Sequence, residues 1–506
     1  MIESAISGLA HVFELYNFIF LFVGVIMGIV FGALPGLTAT MGLALLVPFT
    51  FTMSPASGLI MLAGIYVGSM YGDAIPAILI NTPGTPAAIA TTFDGFPLAK
   101  KGMAQHGLVA AAVASAFGSL VANVVLATAA PPLAEASLKF GPPEYFWLGI
   151  FGLTIIATLS SGFIFKGLLA GAIGLVLSTV GMAPLGGDVR LTFGFPELQA
   201  GVELIVALIG FFCLPEILSS VIGQRRESYT SKKVVPRLSV VGEVIGSLFK
   251  RPFLMLRSAA IGTIIGFAPG AGGNIASMVS YNEACRWDKH PEEFGKGTIK
   301  GVAASEAANS AMAPGSLIPL LTLGIPGSPP AAVILGALML HGMKPGPELF
   351  TAYADVTFAF IMALLVAAFM VTLIGCFGSF VYARIINIPA RLLAPAIVFM
   401  TVLGSYAIRN NMLDVWIMFI FGIIGYLSNK LKFHPAPIVL GLILGPFVEE
   451  GLVQSMLAGR AAGGVVAYMV FRPISLVLIS MSLMSALWPL FAAWRTRKRR
   501  SVSEES

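Results

Sequence analysis

The sequence predicts an all-α polytopic membrane protein with about 11–12 transmembrane helices, arranged as two inverted repeats with broken helices and re-entrant hairpins. Three observations carry this. Of the 506 residues, 57% are hydrophobic and 11% charged, and the mean hydropathy is +0.90; a soluble domain carries about 25% charged residues. Apolar stretches of roughly 20 residues, enough to cross a bilayer as a helix, recur along almost the whole chain. Finally, apolar segments are broken by Pro-Gly in the same order in each half. The first half reads Gly28-x3-Gly32-x2-Pro35-Gly36-Leu37-Thr38-Ala39-Thr40, then Ile75-Pro76-x4-Asn81-Thr82-Pro83-Gly84-Thr85-Pro86. The second reads Gly262-x3-Gly266-x2-Pro269-Gly270-Ala271-Gly272-Gly273-Asn274, then Ile318-Pro319-x4-Gly324-Ile325-Pro326-Gly327-Ser328-Pro329. Paired breaks in matching positions of two halves point to a transporter's binding site.

Taken in order, the segment around Phe13 to Leu34 reads as a retained first span, since no basic stretch precedes it as in a cleaved signal peptide. Gly24, Gly28, Gly32 and Gly36 recur every fourth residue, on one helix face, and admit a close neighbour. Pro35-Gly36 breaks that helix, and Leu37 to Phe51 forms a short arm. A helix follows from Ser57 to Gly72. The stretch from Asp73 to Thr92, cut by Pro76, Pro83, Gly84 and Pro86, predicts a hairpin rather than a straight helix. Phe93 to Gln105 reads as a polar loop. Further spans are expected near 106–130, 145–162, 163–183 and 200–222. After a charged loop ending near Lys300, a Ser/Asn-bearing helix leads into the second hairpin. Spans then fall near 351–380, 390–408, 412–429, 436–447 and 471–494.

The domain expectation follows. Residues 1–222 form the first transmembrane repeat and 223–252 a basic cytoplasmic linker. Residues 253–470 form the second repeat, and 471–506 an extra helix with a basic cytoplasmic tail. The net charge of +6 comes from clusters rather than a basic face. Arg225, Arg226, Lys232, Lys233, Arg237, Lys250 and Arg251 lie in or beside the linker; Arg495, Arg497, Lys498, Arg499 and Arg500 lie in the tail. Such loops are retained on the inner side, which places the C-terminus in the cytoplasm and argues against nucleic acid as partner.

A helix broken within the membrane offers N–H groups to an anion and carbonyls to a cation. The substrate-binding candidates are therefore Gly36, Thr38 and Thr40 on the first arm, and Asn81, Thr82, Gly84 and Thr85 at the first tip. Gly270, Gly272, Gly273 and Asn274 on the second arm and Pro326, Gly327 and Ser328 at the second tip complete them. The ion-binding candidates are Pro35, Asp73, Pro269, Glu306 and Asn309. Intramembrane carboxylates are costly and mark function by default; Glu283, Asp355, Glu203 and Asp414 join Asp73 and Glu306 in that group.

The chain holds no HExxH helix, no GxSxG elbow and no P-loop. Gly186-Gly187-Asp188 and Gly72-Asp73 approach the Gly-x-Gly-Asp of intramembrane aspartyl proteases, but Leu185 and Met70 stand where its first glycine belongs. The three cysteines are isolated, with no metal spacing and no disulfide framework. No cofactor is expected.

Three stretches resemble the large membrane subunit of the tripartite tricarboxylate transporters of bacteria: Gly32-Ala33-Leu34-Pro35-Gly36-Leu37-Thr38-Ala39-Thr40-Met41, Ile75 to Pro86, and Ala313-Pro314-Gly315-Ser316 leading into Gly324 to Ser328. The resemblance covers nearly the whole chain. It implies a multi-pass protein of the cell inner membrane. It further implies a small four-span membrane subunit and a periplasmic solute-binding protein as partners. An ion gradient, with Na+ as coupling ion, would drive uptake of carboxylates such as citrate. A stand-alone permease or channel, and an intramembrane enzyme, are the alternative readings.

Overall fold

The computed structural model describes residues 2–34, 36–159, 164–183, 186–222, 237–270, 272–378, 382, 390–431, 433 and 435–486. Most of the basic linker, including Arg225, Arg226, Lys232 and Lys233, and the basic tail lie outside these residues, as does Pro35. The chain is built almost wholly of helices, as the composition requires, because only helices and closed barrels satisfy backbone groups in lipid. Among the described residues, six helices are long and apolar enough to cross a membrane: Leu15–Ala33, Pro55–Ile80, Ala104–Ser137, Ala354–Phe377, Met412–Lys430 and Pro435–Ala461. The one sheet among the described residues is a two-stranded antiparallel pair, Gly181–Met182 with Val189–Arg190.

The chain forms two compact units, each drawing on both halves of the sequence. One comprises Met1–Glu135 and Leu208–Gly422; the other, Ala136–Ala207 and Ile423–Ser506.

In the second unit, helices Pro142–Leu159, Ile164–Ser178 and Pro435–Ala461 pack on one another. Glu144 is fully buried, and its carboxylate accepts hydrogen bonds from Arg472 Nε at 2.7 Å, Ser475 Oγ at 2.9 Å and Gly141 N at 2.8 Å. A second ion pair, Arg190 to Glu449 at 2.8 Å, ties the strand pair to the Pro435–Ala461 helix. Removing one partner of a buried pair strands the other charge. Arg472→Leu is therefore expected to cost about 1–3 kcal/mol of stability, since Glu144 keeps the Ser475 and Gly141 bonds, read as a lower melting temperature in detergent.

In the first unit, Leu15–Ala33 and Pro55–Gly72 lie backbone to backbone. A Cβ added at Gly32 would sit 2.5 Å from Ser69 O, and one at Gly64 would sit 2.6 Å from Leu21 O. The glycine face of the first helix thus meets a second glycine series, Gly64, Gly68 and Gly72, on its partner. Helices Pro252–Phe267 and Ile299–Leu323 repeat the device: a Cβ at Gly262 would lie 2.8 Å from Ala308 Cα, and one at Gly315 2.7 Å from Thr263 O.

Several boundaries differ from the sequence expectation. Residues 93–100 are helical within Ile89–Lys100, not a polar loop. The reason is Asp94, fully buried, whose carboxylate accepts from Gly297 N at 2.8 Å, Thr298 N at 3.0 Å and Tyr281 Oη at 2.9 Å. The rising helix of the first hairpin continues past Gly72: Asp73 (φ −69°, ψ −20°) joins Pro55–Gly72 to Ala74–Ile80. Pro76 is tolerated because it falls in the first turn after that joint, where no helical N–H is needed. The charged loop before Lys300 is held by that lysine, whose Nζ lies 2.9 Å from Asp288 and 2.8 Å from Glu293. Partial burial would raise the Asp288 carboxyl, but the Lys300 ammonium outweighs it and holds it below the ordinary range.

Candidate functional site

The two hairpins are built alike, at a constant separation in sequence. The first rising helix is ended by Asn81, in the left-handed region at φ 53°, and the second by Gly324 at φ 73°. These stand 324 − 81 = 243 positions apart. Thr82 N then donates to Pro76 O at 3.2 Å, and Ile325 N to Pro319 O at 3.3 Å. Gly84 N donates to Asp73 O at 3.2 Å, and Gly327 N to Ser316 O at 3.3 Å. Each descending leg opens on a hydroxyl cap: Thr85 Oγ1 accepts from Ala87 N, and Ser328 Oγ from Ala331 N, both at 3.3 Å. Such caps satisfy N–H groups that the helix start leaves unpaired.

The four interruptions converge within the first unit. Gly84 lies against Gly32 O, and a Cβ there would be 2.7 Å from Asp73 Cα. Gly327 lies against Gly266 O in the same way, with Ser316 Cα 2.8 Å from such a Cβ. Gly270 N donates to Gly327 O at 2.9 Å, joining the second arm to the second tip. Ser277 Oγ donates to Ala87 O at 2.6 Å, joining the second arm to the first hairpin. The arms also cross over. Ala39–Thr50 packs on Pro329–Leu340 of the second hairpin, while Gly272–Trp287 packs on Pro86–Ala88 and Ile89–Lys100 of the first. Three helix N-termini, the partly positive ends, start at these breaks: Ala39–Thr50, Gly272–Trp287 and Pro329–Leu340.

The candidates fall into distinct places. Gly36 (φ 92°), Gly270 (φ 81°) and Gly272 (φ 67°) hold turn conformations that a side chain would strain. Asn81 and Asn274 are exposed, Thr82 and Thr38 half-buried, and Thr40, Gly273, Pro269 and Pro326 buried. Thr38 Oγ1 caps its arm, accepting from Met41 N at 3.2 Å. Of the carboxylates, Asp73 and Glu306 are buried at 1% and 0% exposure, and Asp414 is buried as well. Asp355 is exposed, and Glu203 is half-buried. Glu283 sits at a helix end beside Trp287 and Arg286.

Two polar knots bind the halves together. In the first, Thr85 Oγ1 donates to Asp73 Oδ2 at 2.5 Å, and Asn309 Nδ2 lies 3.4 Å from both Asp73 oxygens and 3.3 Å from Met70 O. Glu306, one turn away, accepts from the Thr91 and Ser115 hydroxyls, and Thr91 also meets Ser305 at 2.9 Å. In the second, Tyr66 Oη, Ser316 Oγ and Ser328 Oγ form a triangle with all three sides 3.1 Å. Sequence reading misses Tyr66, Ser316, Thr91, Ser115 and Asp94. The signal available for the first two is the repeat itself: 309 − 66 = 243 and 316 − 73 = 243. No lysine or arginine is among the residues of either knot.

A family model described as the tripartite tricarboxylate transporter TctA family matches residues 18–440. The chain belongs to that family. All four interruptions of this TctA-family chain fall inside the matched segment. An uncharacterized 52.8 kDa protein in the TAR-I ttuC' 3' region of Agrobacterium vitis is 38% identical over 494 residues, covering 97% of this chain and 96% of that protein. An uncharacterized protein in the TAR-II ttuC' 3' region of the same organism is 36% identical over 244 residues, covering 48% of this chain and 100% of that protein. No solved structure matches. TctA-family membership makes the chain the large membrane subunit of a tripartite tricarboxylate transporter.

Proposed function

We propose that this subunit carries the translocation path for a small carboxylate, such as citrate, across the bacterial inner membrane. A periplasmic solute-binding protein delivers the substrate, a four-span subunit completes the membrane complex, and an inward Na+ gradient drives uptake. The observation that supports this most is the convergence of both arms and both tips in one unit of a TctA-family chain. Helix N-termini, the Asn81 and Asn274 amides and the Thr82 hydroxyl supply donors for an anion there, without a fixed cation that would hold it too tightly. Asp73 and Glu306 supply negative charge for a coupling cation, as intramembrane carboxylates do in ion pathways. The pairing of the interruptions at fixed separations accords with two inverted repeats, each contributing one arm and one tip, and the basic tail accords with a cytoplasmic C-terminus.

The test is uptake of radiolabelled citrate into proteoliposomes holding all three components under an inward Na+ gradient. Wild type accumulates citrate. An Asn81→Gly, Thr82→Ala, Asn274→Ala triple variant loses at least about tenfold of the uptake rate, because the rate effects of missing hydrogen bonds to the substrate multiply. Equal uptake by the triple variant contradicts the site.

A further inference from the structure

The two polar knots occupy equivalent positions of the two hairpins, yet their chemistry differs. Asp73, Thr85 and Tyr66 correspond to Ser316, Ser328 and Asn309 at 316 − 73 = 243, 328 − 85 = 243 and 309 − 66 = 243. Each knot borrows one member from the other half. Asn309 of the second half reaches the Asp73–Thr85 pair, and Tyr66 of the first reaches the Ser316–Ser328 pair.

The serine knot is neutral and closed. Its three hydroxyls lie 3.1 Å from one another, and Ser316 has a further outlet, donating to Ala313 O at 2.8 Å. The aspartate knot holds a carboxyl group and is open. Asn309 is fully buried, and its Oδ1 has no hydrogen-bond partner among the described residues, although buried amide oxygens are nearly always paired. That oxygen points at Gly273, at the start of the second arm, where a Cβ would collide with it. A half-turn of the amide exchanges Nδ2 for Oδ1 on the side facing Asp73. The Asn309 carbonyl then faces the Asp73 carboxylate, to which the Thr85 hydroxyl donates, so three hard oxygen donors lie together. Gly32 O and Met70 O, main-chain carbonyls against the same residues, stand beside them. Hard oxygen ligands suit a hard cation.

We propose that the chain binds a single Na+ at the Asp73–Thr85–Asn309 knot, and that the equivalent serine knot of the second half holds none. The repeat therefore divides its labour: one tip carries the cation, and the other closes on itself through neutral hydroxyls. This rests on the Na+-coupled reading above and adds to it the place and the number of the ions. Turned, the Asn309 oxygen gains the ion as a partner in exchange for the Nδ2 bonds to Met70 O and Asp73. Glu306, bonded to Thr91 and Ser115 one turn from Asn309, adds a second carboxyl group on the same side.

The test is thermal melting of the purified chain in detergent in NaCl against choline chloride at equal ionic strength. At about 100 mM, Na+ raises the wild-type melting temperature by about 3–5 °C, because a ligand that binds only the folded state stabilises it. Asp73→Asn abolishes the rise. Thr85→Val, which keeps the carboxylate, shifts the midpoint of the rise at least about tenfold higher in Na+. Ser316→Ala and Tyr66→Phe keep the full rise with an unchanged midpoint. Melting in choline within a few degrees of wild type shows that each variant is folded. A wild type indifferent to Na+, or an Asp73→Asn variant that keeps the rise, overturns the proposal. So does loss of the rise in Ser316→Ala. Carboxylate uptake by the complete system is a separate readout: it fails only if the transport reading is wrong, and it persists if only the ion placement is wrong.

Discussion

Gly32→Val abolishes uptake and most of the folded protein. The hydrogen on Gly32 faces Ser69 O at the heart of the Leu15–Ala33 and Pro55–Gly72 contact, and a Cβ there would lie 2.5 Å from that oxygen and 2.8 Å from Asp73 N and Gly72 Cα. These neighbours are main chain and cannot rotate away, so the helices must part. Overpacking typically costs about 1–3 kcal/mol, and a clash with two backbones belongs at or above the top of that range. The loss is also functional, because Gly32 O lies against Gly84 and Gly32 itself against Asp73. Parting the helices moves the first tip, the first arm and the Asp73 carboxylate together. Gly242→Ala is the control: no described residue lies within 4 Å of a Cβ there, and its yield and uptake match wild type. Detergent-extracted yield by fluorescence-detected size exclusion measures the first effect, and proteoliposome uptake the second.

Asp94→Ala produces the second large effect. One carboxylate, with no exposure, accepts from two backbone amides at the start of Ile299–Leu323 and from the Tyr281 hydroxyl. Hydrogen bonds to a charged group are worth about 1.5–3 kcal/mol each, and the orphaned amides then carry their own desolvation cost. The expected loss is about 3–5 kcal/mol, with the melting temperature falling by several degrees for a chain of this size. Tyr281→Phe removes one of the three bonds and costs about 1.5–3 kcal/mol. Because Asp94 joins the descending leg of the first hairpin to the rising leg of the second, its removal loosens the relation between the tips. Citrate uptake therefore falls further in Asp94→Ala than in Arg472→Leu of the other unit at matched amounts of folded protein.

Much of this architecture is legible in the sequence because lipid restricts the options. The apolar runs, the glycine series at every fourth residue and the duplicated Pro-Gly breaks each have one physical use in a membrane, and the corresponding elements appear in the structure. What sequence hides is pairing across halves. Gly24, Gly28 and Gly32 announce a close neighbour, but not that Gly64, Gly68 and Gly72 answer it. Asp94 reads as a loop carboxylate, because nothing local shows that Gly297 and Thr298 come to it from some two hundred positions away. Pro76 reads as a helix breaker, but it falls in a first turn. Pro314 and Pro319 lie inside a helix that continues through them, where packing on all sides overrides the local cost. Asp73 stands out as an isolated carboxylate in apolar sequence, and Asn309 by its place one turn from Glu306. Tyr66 and Ser316 do not, since a tyrosine and a serine in a membrane helix raise no alarm until the repeat is superposed residue by residue.

In the proposed site both arms and both tips face one carboxylate. Single cysteines at Asn81 and Asn274, in a background with Cys213, Cys285 and Cys376 replaced, report on it. Their reaction with a membrane-impermeant maleimide is timed in proteoliposomes of the complete system, with and without citrate, in Na+. Citrate is expected to slow labelling at both positions and to leave Gly242→Cys labelling unchanged. Citrate import that leaves both labelling rates unchanged would contradict it.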